Sequence, residues 1–119
     1  MIVITLWVNE MIQLDDGKLL CLSCDDLPWK ASTFAAGVSV KDVAVTGDLE
    51  MQIVRFEPGT RLPLHEHELP EFIYVLEGEL IVAGQRLRRG WASIASSGSV
   101  HTDVHSDTGC IFVLVDRPL

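Results

Sequence analysis

The chain has 119 residues, 48% of them hydrophobic and 22% charged, with a formal net charge of −8. That length fits one domain, residues 1–119, with a core of its own. The acid surplus, with no basic cluster beyond Arg86, Arg88 and Arg89, argues against nucleic acid or an anionic membrane as partner, and no stretch approaches the ~20 apolar residues of a membrane helix.

In chain order, the opening MIVITLWV is apolar, lacks a basic start and meets Asn9-Glu10 where a signal peptide would place small residues. It reads as a strand, and cytoplasmic residence is the expectation. KLLCLS reads as a second strand and runs into Cys21-Leu22-Ser23-Cys24. Three cysteines make no disulfide framework. A redox or zinc role for the CxxC needs a βαβ context or a second ligand pair, neither of which follows. Cys110, inside CIFVLV, reads as a small buried hydrophobe.

VSVKDVAV and LEMQIVRF are the next strands. Alternation along the second puts Met51, Ile53 and Arg55 on one face and Gln52, Val54 and Phe56 on the other. Arg55 is then either a cation at a pocket mouth, where it would pair with a substrate carboxylate or with Glu71, or an ordinary edge charge.

The segment from Gly59, GTRLPLHEHELPEFIYVLEG, carries most of the chemistry. Its pattern is Gly59-x5-His65-x-His67-x3-Glu71-x6-Gly78. Residues two apart on a strand share a face about 6.5 to 7 Å apart, so two imidazoles there can converge on one ion. Leu69-Pro70 interrupts the strand because proline has no ladder donor and restricts the residue before it. Glu71 therefore opens the next strand, close to the pair. If Glu71 points inward, Ile73 and Val75 share its interior while Phe72, Tyr74 and Leu76 point the other way. Those three are too apolar for bare solvent, so either Ile2 to Val8 or a second subunit covers them, and a homodimer is the expectation. Glu77-Gly78 reads as a turn followed by a hairpin back through ELIVA.

WASIA, SVHTDV and CIFVLV complete the run of short strands, with turn residues between them. Strands this numerous indicate an antiparallel sandwich or barrel. The segment from Gly90, GWASIASSGSVHTDVH, holds His101 and His105, the remaining two of the four histidines. His105 lies four residues after His101, on the same face if the strand is unbroken, but Ser106 to Gly109 signal a turn. It is either a base or extra ligand at the pocket mouth, or an exposed loop histidine.

Both segments resemble the two signatures of the cupin superfamily, over roughly Gly59 to His105. The first matches at every defining position. In the second, the glycine, proline, glycine, histidine and asparagine of the family correspond to Gly90, Ser96, Gly98, His101 and His105, so two positions depart. The resemblance implies an all-β cupin fold, a double-stranded β-helix or jelly-roll barrel. By the same resemblance the metal ligands are His65, His67, Glu71 and His101. DLPWKAS, GVSVKDV, VRFEPGTRLPLHEH and the GSVH…GCIFV ending are similar to the ChrR-like group, which includes the C-terminal domain of zinc anti-sigma factors and dioxygenases that cleave β-diketones and hydroxyacetophenones. The zinc-binding helical domain of such anti-sigma factors would carry H-x3-C-x2-C, and Gly17 stands where that histidine should be. Direct sigma-factor binding is therefore disfavoured.

Around octahedral Fe(II), Mn(II) or Ni(II), three imidazoles and a carboxylate leave up to two positions open, which suits an enzyme; around tetrahedral zinc they close the shell. The expected function is a metal-dependent dioxygenase acting on a small dicarbonyl or phenolic compound, with Glu71 able to detach as a base and His105 as a possible second catalytic group. The alternative is a non-catalytic zinc-binding sensor or ligand-binding module. Either takes a small molecule as partner.

Overall fold

A computed structural model describes residues 11–63, 65–66, 70–101 and 103–117, with the side chains of His65, Glu66 and His101 outside the description. Strand β1 is Lys30–Ala31, β2 Val38–Thr46, β3 Leu49–Phe56, β4 Thr60–Leu62, β5 His65–Glu66 and β6 Glu71–Val82. Strand β7 is Gln85–Arg88, β8 Ala92–Ala95, β9 Val100–His101, β10 Val104–Ser106 and β11 Cys110–Asp116. The one helical element is a 3₁₀ turn at Cys24–Asp26, so among the described residues no helix is long enough to cross a membrane. The expected strand over residues 2–8 falls outside the described residues.

Nine of the strands form one curled antiparallel sheet in the order β1-β2-β3-β11-β6-β10-β4, with β7 and β8 also paired to β6, and β5 pairs with β9 in a separate ribbon. This is the jelly roll expected from the sequence. Its hinge is β6. Glu71 to Gly78 pair with β11 and Glu71 to Tyr74 with β8, whereas Glu79 to Val82 pair with β7 and Ile81 to Val82 with β10. One strand thus belongs to both walls of the barrel.

Two expectations change here. Glu77-Gly78 is no hairpin turn, since β6 runs unbroken through it. Gly78 instead supplies the bend by which the strand switches walls: its φ is 71°, and an added Cβ would lie 2.2 Å from the Gly109 carbonyl oxygen. The register of β11 shifts opposite this bend, between Ile111 and Phe112. The actual hairpin comes at Ala83-Gly84, where both residues have positive φ, and it returns through QRLR as β7, a strand the apolar pattern had hidden. KLLCLS, the second expected strand, is irregular, and Leu19 is 80% exposed.

Alternation sorts the side chains as expected for β6. Ile73 and Val75 are buried, and Phe72, Tyr74 and Leu76 are exposed. The core joins Val38, Val54, Phe56, Val75, Leu80, Leu87, Val104, Cys110 and Phe112, with Phe56 and Phe112 meeting edge to face at 5.3 Å. Cys110 is the buried small hydrophobe anticipated, its thiol pushed up to about 11 by burial. Cys21 and Cys24 are free thiols outside the core.

Candidate metal centre

The β5–β9 ribbon sets His65 directly opposite His101 and Glu66 opposite Val100. Two histidines more than thirty residues apart in sequence thus become register partners, and directly opposed residues of an antiparallel pair have Cβ atoms about 4.5 to 5.5 Å apart. The flanking chain explains the placement. Strand β4 leads into β5, and β8 leads through the Ser96–Ser99 turn, closed by Ser99 N–H to the Ser96 carbonyl, into β9. Glu71 follows β5, opens β6 and pairs with Ala95 at the end of β8. Chain connectivity thus ties both strands of the ribbon to the end of the sheet where Glu71 opens β6. His67 lies outside the described residues. Among those described, no three His, Cys, Asp or Glu side chains group closely enough to hold an ion.

Glu71 occupies an inward position, in step with buried Ile73 and Val75. Burial pushes its carboxyl up from 4.5 to about 7, because the charged form loses hydration. Register then builds an acidic row across the barrel wall: Glu71 of β6 opposes Asp116 of β11, which opposes Glu50 of β3. Burial, then the neighbouring Asp116, pushes Glu50 up to about 7, and it shares a hydrogen bond with Asp116. Burial also raises Asp116 above the usual carboxylate range, and the charge of Glu71 adds to that. Its Oδ1 is buried without a hydrogen-bond partner among the described residues.

Two residues further along the wall, Gln52 donates to Asp42 at 2.6 Å, and Lys30 forms an ion pair with the same carboxylate. The sequence reading placed Gln52 on the face of Val54 and Phe56 but missed Glu50, two residues earlier on that same face, and it missed Asp116. The signal of Asp116 was its place two residues after Leu114 and four after Phe112, on the inward face of β11.

Two other expectations resolve. Arg55 is not at a pocket mouth. It lies on the outer face, in step with Met51 and Ile53, because Val54 and Phe56 take the interior. There its guanidinium stacks on Trp29 at 4.4 Å, and Glu57 is 3.9 Å away. His105 belongs to a strand and not to a loop, but it faces away from the core, since its neighbours Val104 and Ser106 are the buried pair. Its Nδ1 bonds Asp103 Oδ1 at 2.8 Å, and Asp107 lies 3.6 Å from its Nε2. Arg61 also holds Asp103, and Arg86 joins Asp107 to Glu79. That is a charge network on the outer side of β10, in which the His105 side chain is only 13% exposed while Arg61, Arg86 and Asp107 are open to solvent.

The sequence profile described as the ChrR Cupin-like domain matches residues 18–119. The chain belongs to this cupin family. Among solved structures, this cupin is similar to KdgF from Halomonas sp., at 27% identity over 80% of this chain and 91% of that one, with a TM-score of 0.70. It is also similar to an acetylacetone dioxygenase from Acinetobacter johnsonii, at 14% identity over 85% and 74%, with a TM-score of 0.70. A third likeness is to a chain of the Rhodobacter sphaeroides SigE complex with the anti-sigma ChrR, at 22% identity over 79% of this chain and 51% of that one, with a TM-score of 0.66. The last two share the fold with it. No curated protein matches the chain.

Proposed function

We propose that this cupin is a single-domain metal protein over residues 1–119, binding one divalent transition ion through His65, His67, Glu71 and His101. We further propose that it acts as a dioxygenase-type enzyme on a small dicarbonyl or phenolic compound. The observation that carries the reading is the register pairing of His65 with His101, and the partly buried Glu71, whose carboxyl burial pushes up to about 7, supports it. Three imidazoles and one carboxylate are the donor chemistry of Fe(II), Mn(II) and Ni(II). Such an ion, when bound, supplies Lewis acidity and open positions for a chelating substrate.

The chain's own residues do the rest. Glu71, raised to about 7 by burial, stays largely protonated below neutral pH and would give up that proton to a bound cation. Asp116 presents an unpaired oxygen beside it and so accepts a hydrogen bond from whatever occupies the site. Val75, Phe112 and Leu80 form the dry floor beneath. The unit we propose is a cytoplasmic homodimer.

The ChrR family match favours a second reading, in which zinc closes the four-ligand shell and the protein is a sensor or ligand-binding module without turnover. One experiment separates the two. Protein purified without affinity histidines is assayed for bound metal, its coordination is read by X-ray absorption, and dioxygen uptake is followed after adding acetylacetone to the Fe(II)-loaded form. Stoichiometric metal with open coordination and uptake supports the enzyme. Tightly held tetrahedral zinc without uptake with Fe, Mn or Ni supports the sensor. Absence of stoichiometric metal under all loadings sinks both.

A further inference from the structure

Across the large wall the inward side chains change character row by row. Val54, Phe112 and Val75 share one register row, Gln52, Leu114 and Ile73 the next, and Glu50, Asp116 and Glu71 the last. Beside the middle row, Asp42 of β2 opposes Gln52 and takes the ion pair from Lys30. Four carboxyl groups therefore line the end of the interior where Glu71 stands.

The positive charges are elsewhere. The chain has nine lysines and arginines, and all nine fall among the described residues. Lys41 and Arg55 flank Trp29 on the outer side. Arg61, Arg86 and Arg88 hold Asp103 and Glu79 on the other wall. Arg89 borders an outer cleft beside Tyr74, Arg117 pairs with Asp48 at 3.3 Å, and Lys18 is exposed ahead of β1. Lys30 alone lies on the inner side, in register with Val40, and Asp42 offsets its charge. An anionic ligand end therefore finds no lysine or arginine to meet it there. A hydrogen-bond donor finds Asp116 Oδ1, buried and without a partner among the described residues.

We infer that Glu50 and Asp116 set the specificity of the proposed metal site, which takes a small chelating ligand whose far end carries an ammonium or another hydrogen-bond donor and discriminates against a carboxylate at that end. The inference rests on the metal reading of His65, His67, Glu71 and His101. The spacing supports it. Glu50 stands two strand spacings, about 10 Å, from Glu71, so a molecule the size of a substituted catechol reaches both. Ile73 and Leu114, in the row beneath, offer apolar surface for the ring between the two ends. Charges at partly buried positions are also less screened than those at the surface, so the four carboxyl groups act on a ligand more strongly than the chain's outer acids do.

Titration of Ni(II)-loaded protein under argon tests this, with three catechols that share one chelating head: dopamine, catechol and 3,4-dihydroxyphenylacetate. At about 0.15 M salt, where long-range attraction is screened, calorimetry is expected to rank them amine, unsubstituted, acid, with roughly tenfold or more between first and last. In Glu50→Gln and Asp116→Asn, which keep the side-chain shape, the ratio of amine to acid affinity is expected to collapse toward one. A merely structural role would weaken all three catechols together. Asp107→Asn, on the outer side of β10, is expected to keep the wild-type ratio. Should one variant fail to fold, the other and the wild-type ranking carry the test. A wild type that binds the acid as tightly as the amine overturns the selectivity and leaves the metal site standing. A ratio unchanged in both variants overturns the assignment to Glu50 and Asp116. Protein that holds no Ni(II), or holds it and binds no catechol, overturns the metal reading and the selectivity with it.

Discussion

The two ends of the barrel interior are built from the same strands yet have opposite chemistry. At the floor, β2, β3, β6 and β11 contribute Val38, Phe56, Val75 and Phe112, all buried apolar side chains. At the other end the same β3, β6 and β11 contribute Glu50, Glu71 and Asp116. The floor gains free energy from burial, while the acidic end loses it, because partly buried carboxyl groups crowd one another. A protein that tolerates this at one end only has separated the part that holds the fold from the part where we place the ligand.

The largest effect should come from the floor. Phe112→Ala removes a ring that packs edge to face on Phe56, and about 3 to 5 kcal/mol of unfolding free energy should be lost. Urea denaturation measures it. Metal binding at the far end should survive in whatever fraction stays folded. Gly78→Ala belongs to the same class, since its new Cβ would press on the backbone of Gly109 and Cys110 and demands a positive φ of alanine. If Gly78→Ala folds as stably as the wild type, the wall-switching role of that residue is wrong.

Next in size is the opposite substitution at the acidic end. Glu71→Gln keeps the shape but removes the carboxylate, so metal retention should fall by at least tenfold, as read by competition with a chelator. Thermal stability of the metal-free protein at pH 8 should hold or rise, because a desolvated charge has gone. A metal affinity unchanged in Glu71→Gln would break the assignment of this residue as a ligand.

The same contrast predicts a pH dependence with a definite sign. In the metal-free protein Glu71 and Glu50 are raised from 4.5 to about 7, so the folded state binds more protons than the unfolded one between those values. Their contribution to stability is complete below about pH 4.5 and is lost as pH rises through about 7. The melting temperature of the metal-free protein should therefore be higher at pH 5.5 than at pH 8. With the ligand set proposed above, a bound divalent cation should reverse the order, because it would take the place of the proton and bind better as Glu71 ionises. Scanning calorimetry with and without the metal checks both signs.

Much of the floor was legible in the sequence, since LEMQIVRF and CIFVLV are long enough for alternation to declare which side is buried. The histidine and glutamate spacing was equally plain as a pattern, and the proposed metal rests on it, because a metal demands particular side chains at particular intervals. The hinge at Gly78 was misread for a physical reason: glycine after a charged residue has the same local signature whether the chain turns back or bends onward, and only the pairing of Gly78 with Cys110 decides it. Strand β7 was hidden because QRLR buries Leu87 alone and spends its arginines on Glu79. Asp116 was hidden by its place at the end of an apolar run, where a single acid reads as a boundary.

The smallest effect is expected at His105, whose neighbours Val104 and Ser106 take the inner side of β10. Its ring lies between Asp103 and Asp107 on the outer face, and Arg61 remains paired with Asp103 if the ring is lost. His105→Ala should therefore cost on the order of 1 kcal/mol, the net worth of one side-chain hydrogen bond, and leave metal stoichiometry and any dioxygen uptake unchanged. A loss of metal comparable to that in Glu71→Gln would show that the outward face of β10 communicates with the acidic end. The wall between them is one strand thick, with Val104 and Ser106 filling its inner side, so such coupling would have to pass through packed core and not through a shared ligand.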